Sequence, residues 1–335
     1  MFKKVRLCFG VSALLFFHSS PYAVSLPGEG ITVQPIVSDS EQEIFQTLIV
    51  SKAFEALGYT VKSYQVGSYD DVYAAVAEGK ATYMAVNWDP LHRDKYENAG
   101  GSEHFFRGGE FVSGAAQGYL IDKKTALKHD ITNLSQFSDP KIAALFDVNG
   151  DGLADLMGCE VEWGCNAVIE HQLTEYQLQE TVDHHEENYI RQMEEAITRL
   201  KRGFPIFYYT WTPYWVSGTL VPGKDVIWLQ VPYSALPGAR SDVDTTLPNN
   251  KNYGFELNSM RIVLNRDFAS ANPAAAKLAS LLSVDINDIS VQNMIMRRGQ
   301  NSPSDIERHV RGWIVANQQQ FDLWVAEALQ VESTE

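Results

Sequence analysis

The sequence contains no apolar run long enough to cross a bilayer as a helix, so a chain soluble throughout is the expectation. It is also poor in positive charge, with 27 Lys and Arg against 42 Asp and Glu and a formal charge of −15. So acidic a surface is unsuited to nucleic acid or anionic lipid, although it says nothing about the fold. Cysteine is scarce, at three residues. Neither G-x-S-x-G nor H-E-x-x-H occurs, so the common signatures of an exported hydrolase are missing. There is no repeat of fixed period and no low-complexity linker.

What is present begins with an address. Lys3, Lys4 and Arg6 precede a short apolar core from Val11 to Phe17, and Ala23-Val24-Ser25 follows as a small-residue cleavage site. Residues 1–25 are therefore expected to be an export signal, and the mature chain to work in an oxidising compartment, most simply a bacterial periplasm. Cys8 lies before the apolar core, which leaves Cys159 and Cys165 in the mature chain. In such a compartment two cysteines this close are expected to pair, at a gain of about 2.4 kcal/mol by loop entropy. The rival is a zinc site shared with His171, for which no fourth ligand stands in register.

About 310 residues remain after the signal, enough for two domains. Ile31 to Val37 reads as a strand, Glu41 to Leu57 as a helix ended by Gly58, and Thr60 to Val66 as a second strand. Tyr69 to Gly79 reads as a helix before an apolar strand that runs to Trp88. This β-α-β-α-β order predicts an α/β fold with a doubly wound parallel sheet, whose ligands sit at the carboxyl edge. Ala115 to Ile121, the helix Glu186 to Arg202, the strand up to Trp211 and the strand Arg261 to Leu264 continue the alternation. A lobe interrupted by a second lobe explains the order: lobe 1 from 26–115 plus 250–335, and lobe 2 from 116–249.

Two segments share one local design. Tyr83-Met84-Ala85-Val86-Asn87-Trp88-Asp89-Pro90 and Ile206-Phe207-Tyr208-Tyr209-Thr210-Trp211-Thr212-Pro213 are both strand-like runs closed by Trp-x-Pro. Each sets a large ring just beyond the end of a strand, one in each lobe, and facing aromatic walls suit a small cation. Trp163 is a third candidate, inside the Cys159–Cys165 loop. Gly164 beside it lets a ligand approach the backbone, and a helix expected from Ala167 to Leu178 offers free amides to an anion.

With those residues in view, the chain resembles the glycine betaine/proline betaine-binding proteins of ProU-type ABC transporters, the ProX family. The resemblance is carried by LPGEGITVQP, AVNWDPLH, GAAQGYLIDKKTA, DPKIAALFDVNGDGLADLMGC, WGC, FYYTWTPYWVS, VIWLQVPYSALPG and NPAAAKL, and it covers essentially the whole mature chain. It implies a type II periplasmic binding protein fold, two doubly wound lobes joined by a two-crossing hinge and closing on a betaine. It further implies a trimethylammonium box of Trp88, Trp163 and Trp211, with the ligand's carboxylate held by the His92 side chain and the Gly164 and Cys165 amides. The expected partner is an inner-membrane ABC permease with its ATPase, served by a monomer that needs no cofactor. Choline, carnitine or another methylated amine is the alternative ligand.

Other residues have plainer readings. Trp215, Trp228, Trp313 and Trp324 are expected to pack, and Tyr208, Tyr209 and Tyr214 to be core or to stand behind the pocket. Glu160 and Glu162 place two acids beside Trp163, a departure from the family pattern that bears on betaine against choline. Asp147-Val148-Asn149-Gly150-Asp151-Gly152 has calcium-loop spacing, but Gly158 stands where the bidentate Glu belongs, so an Asx-rich turn is the alternative.

Overall fold

A computed structural model describes residues 25–331; residues 1–24, which carry the expected export signal, lie outside them. Two sheets organise the chain. In the first, the strand Asn258–Asn265 lies between Tyr83–Asp89 and Phe105–Ala115 and is antiparallel to both, with Met260 opposite Trp88 on one side and Val112 on the other. The second has five strands in the order Val226–Trp228, Gln117–Asp122, Phe207–Trp211, Ala154–Met157 and Val182–His185. Its last three are parallel, and Gln117–Asp122 runs antiparallel to both of its neighbours. The chain passes from the first sheet to the second at Ala116 and returns between Trp228 and Asn258.

The amino-terminal strands are shorter than the sequence suggests. The run Ile31 to Val37 is split into Thr32–Val33 and Ile36–Ser38, which pair in parallel with Thr60–Val61 and Gln65–Gly67. The break falls at Pro35, which has no N–H for a ladder. Its carbonyl still accepts the Gln65 N–H at 3.0 Å, and Pro35 bridges in parallel to Tyr83. The order is thus β-α-β-α-β with parallel pairing, but the strand Asn258–Asn265 adds the antiparallel pairing that a purely parallel sheet lacks.

The helices follow from pattern and caps. Ile44–Ala56 is apolar round most of its circumference because it is buried on most sides, with Phe45, Ile49, Val50, Ala53 and Phe54 all in the core. It ends where Gly58 takes φ +92, a value costly for any residue with a Cβ. Ser68 and Asp71 close a capping box on Tyr69–Ala77. The helix expected from Ala167 starts earlier, at Gly164, with Trp163 as its N-cap residue. Nothing in the short W-G-C-N run marks a cap, and the Trp163 side chain makes no capping hydrogen bond.

The remaining tryptophans fill space. Trp324 is buried in the core, Trp313 donates its indole N–H to Asp288 at 2.8 Å, and the Arg297 guanidinium lies 4.3 Å above the Trp215 ring.

Helix Pro273–Leu281 lies directly on the strand Phe105–Ala115, where Gly108 and Gly109 leave room for its last turn. A Cβ on Gly109 would stand 2.5 Å from the Ser280 carbonyl oxygen. Gly109→Ala should therefore cost about 1–3 kcal/mol, read as a lower urea midpoint at unchanged slope.

Candidate functional site

Both Trp-x-Pro segments end at one place. Trp88 is the penultimate residue of Tyr83–Asp89 and Trp211 the last of Phe207–Trp211, and the Asp89–Pro90 and Thr212–Pro213 bonds that follow are both cis. The two rings line a single pocket together with Trp163, His92, Gly164 and Cys165. All six residues singled out from sequence therefore converge. Ala115, Ala116 and Gln117, where the chain crosses between sheets, line the same pocket.

The rings from the second sheet are braced from behind. Trp211 stacks on Tyr214 with centroids 4.4 Å apart and planes 16° from parallel, and it meets Trp163 edge-on at 5.4 Å and 88°. Tyr189 touches both tryptophans, with centroids at 5.0 and 5.5 Å, and its hydroxyl donates to the Tyr209 carbonyl at 2.9 Å and lies 2.8 Å from the Thr210 hydroxyl. Cys159 and Cys165 are disulfide-bonded, with Cα atoms 6.0 Å apart, which ties the loop bearing Trp163 to the start of its helix. With both thiols consumed, the zinc alternative with His171 falls away.

Trp163 as N-cap makes the amides of Gly164 and Cys165 first-turn amides of a 12-residue helix, which have no acceptor within the helix. They sit at its positive end. Across the pocket Gly164 packs against the other wall: a Cβ there would lie 3.1 Å from Leu91 Cγ and 3.3 Å from His92 Cδ2. The smallest residue is what lets the helix amides approach His92.

His92 is buried, one helical turn beyond Trp88, and its own N–H donates to the Trp88 carbonyl at 2.7 Å. Burial first, then the positive charges of Lys95 and Arg240, push its pKa down to about 3, so the ring is neutral. Asn87 Nδ2 donates to the Tyr73 hydroxyl at 2.6 Å, and that hydroxyl lies 3.3 Å from His92 Nδ1. His92 Nδ1 thus meets a phenol oxygen that Asn87 also contacts. A neutral imidazole thereby lies beside the helix start.

Three contributors carry no sequence signal strong enough to single them out. Tyr69 lines the pocket, with its ring 4.4 Å from that of His92. Tyr73 sits behind His92, and the i,i+4 spacing of Tyr69 and Tyr73 on one helix face was the available signal. Glu43 had none: it accepts the Trp88 indole N–H at 3.1 Å from a position 45 residues away. Tyr209, expected in the core or behind the pocket, reaches the pocket wall.

The acids beside Trp163 do not line the pocket. Glu160 accepts the Tyr189 amide at 2.8 Å at the start of the helix Tyr189–Lys201, and Glu162 is exposed. In the calcium-like loop, Asp147 accepts the amides of Gly150 and Gly152, Asn149 that of Asp151, and Asp151 that of Leu153. This is the geometry of a run of Asx turns.

A protein-family profile described as the substrate binding domain of ABC-type glycine betaine transport systems matches residues 31–316. The chain belongs to this family. A glycine betaine/proline betaine-binding periplasmic protein of Salmonella typhimurium is 56% identical over 311 residues, covering 93% of this chain and 94% of the relative. The glycine betaine-binding periplasmic protein OusX of Dickeya dadantii is 55% identical over 303 residues, 90% of this chain and 91% of its own length. Among solved structures, lactococcal OpuAC in a closed form with glycine betaine superposes with a TM-score of 0.66 at 16% identity, over 88% of this chain and 99% of that one. A choline-binding protein with choline gives 0.67 at 18%, over 90% and 93%. At such identities these two structures speak for the type II binding-protein fold. Within that family fold, the carboxyl edges of strands from both sheets are where the pocket is built, as the sequence order required.

The neutrality of His92 has a measurable consequence for folding. The unfolded chain takes up a proton near pH 6.5 that the folded protein refuses until about 3. Stability should be full above about 6.5 and decline as the pH falls toward 3. Urea denaturation at a series of pH values should show that decline, and His92→Gln should make it shallower.

Proposed function

We propose that this chain captures glycine betaine or proline betaine in the periplasm and delivers it to an inner-membrane ABC permease with its ATPase, working as an osmoprotectant receptor. Trp88, Trp163 and Trp211 form the cation box, while the His92 side chain and the Gly164 and Cys165 amides hold the carboxylate. The lobes, 26–115 plus 250–335 and 116–249, close on the ligand, and the closed form is what the permease reads. A monomer suffices, because both walls come from one chain.

The observation that carries this reading is the pairing in one pocket of three tryptophans with a helix start and a buried neutral imidazole. A quaternary ammonium donates no hydrogen bond, so ring faces select it, each contributing about 0.5–2 kcal/mol once water is excluded. A carboxylate needs donors, and the same pocket supplies them without a formal positive charge. A zwitterion with no net charge fits that pattern, and the family's transport role agrees with it.

Isothermal titration of the mature protein should give saturable binding of glycine betaine and proline betaine near the micromolar range, about −8 kcal/mol. Trp211→Ala should weaken betaine by more than tenfold while leaving the fold intact by circular dichroism. Choline, which lacks the carboxylate, should bind much more weakly. Tight choline binding with no heat from either betaine would reverse the assignment within the family, and silence from all three would sink it.

A further inference from the structure

Behind the wall formed by Trp88 and Tyr69 lies a buried ionisable group, Glu43, that does not itself line the pocket. Glu43 is 3% exposed, yet its carboxylate collects three donors: the Ser38 hydroxyl at 2.7 Å on one oxygen, and the Tyr69 hydroxyl at 2.8 Å with the Trp88 indole N–H at 3.1 Å on the other. Two of these donors belong to side chains that line the pocket. The indole N–H can only donate, so the oxygen it meets is held as an acceptor. Burial pushes the Glu43 pKa up on balance, and the three hydrogen bonds limit that rise by favouring the ionised form. A carboxylate is a costly way to fix two rings, since a neutral amide oxygen could also accept from Tyr69 and Trp88. Its charge is what an amide would not bring.

We infer that Glu43 is the buried counter-charge of the cation box and sets the pocket's preference for a cationic over an isosteric neutral head group. The inference rests on the betaine reading. Through the indole N–H the anion polarises Trp88 toward a more negative ring, and it adds its own field in a poorly screened interior. Glu43 is a positioning residue for Trp88 and Tyr69, and it also supplies the charge that the three tryptophans lack.

The test compares two ligands of the same shape. Glycine betaine and 3,3-dimethylbutanoate both carry a carboxylate on a methylene group, and differ in having nitrogen or carbon at the centre of the three methyls. Competition titrations on the wild type and on Glu43→Gln should show betaine weakened about tenfold in the variant and dimethylbutanoate unchanged within about twofold. Ser38→Ala removes one donor from the carboxylate without altering a pocket side chain. With one donor gone the carboxyl takes up its proton more readily, so betaine affinity should be lost on acidification at a higher pH than in the wild type, and this shift decides the matter if Glu43→Gln does not fold. Equal weakening of both ligands, or no change in their ratio, would overturn the counter-charge role and leave Glu43 as a brace. A wild type that binds no betaine at all would instead overturn the ligand reading, and this inference with it; that failure is visible before any variant is made.

Discussion

A ring face attracts a cation only while it stays bare, so whatever fixes the ring must act on its edge or from behind. Much of the structure around the pocket answers that demand. Trp211 is backed by Tyr214 and flanked by Tyr189, whose hydroxyl is itself tied to Thr210 and the Tyr209 carbonyl. Trp163 sits in a loop closed by the Cys159–Cys165 bond. Trp88 is held through its indole N–H by Glu43, which Ser38 and Tyr69 hold in turn. For Trp88 the bracing carboxylate comes from a different element, whereas Trp163 is braced by a bond within its own loop. Packed aromatic neighbours do this at little entropic cost, since few rotatable bonds are immobilised.

On the proposed reading, the same logic organises the polar groups of the pocket. A buried ammonium or guanidinium opposite the box would bind an anion tightly but would also repel the cationic end of a zwitterion. Helix amides and a neutral imidazole avoid this, because they donate hydrogen bonds while carrying only partial charge. That solution demands geometric precision. It requires a residue without a side chain at position 164, and the contacts from Asn87 through Tyr73 to His92 Nδ1 hold the ring in place. Both contacts cross between elements that are separate in the chain.

Sheet topology makes the convergence possible. Strands Tyr83–Asp89 and Phe207–Trp211 belong to different sheets, and the chain links those sheets through the segment around Ala116. Thr212 donates its amide to the Ala116 carbonyl at 2.7 Å, and the Ala116 amide donates to the Thr212 hydroxyl at 3.1 Å. The residue after Trp211 is thereby tied to the crossing itself. The pocket lies where the two sheets meet, so a change in their relative orientation would act on it directly.

Local pattern was enough to read the Trp-x-Pro strand ends, the helix stopped by Gly58, the close cysteine pair and the three tryptophans that converge on the pocket. Each of these depends on neighbours in the chain: a proline without an N–H, a glycine free to take positive φ, two thiols within one short loop. The family likeness supplied the expected roles of His92, Gly164 and Cys165, which residue type alone did not. What escaped was set by distance. Pro35 divided an expected strand, and the antiparallel strand from 258 to 265 entered a sheet that looked purely parallel. Glu43 met Trp88 across 45 residues, and no local pattern marks a carboxylate for burial. Sequence thus determined which rings and turns the chain would make, because those are short-range steric and hydrogen-bonding choices. Only the tertiary structure decided which polar groups would stand behind the rings, because a buried charge is tolerated solely where distant donors happen to be brought together to satisfy it.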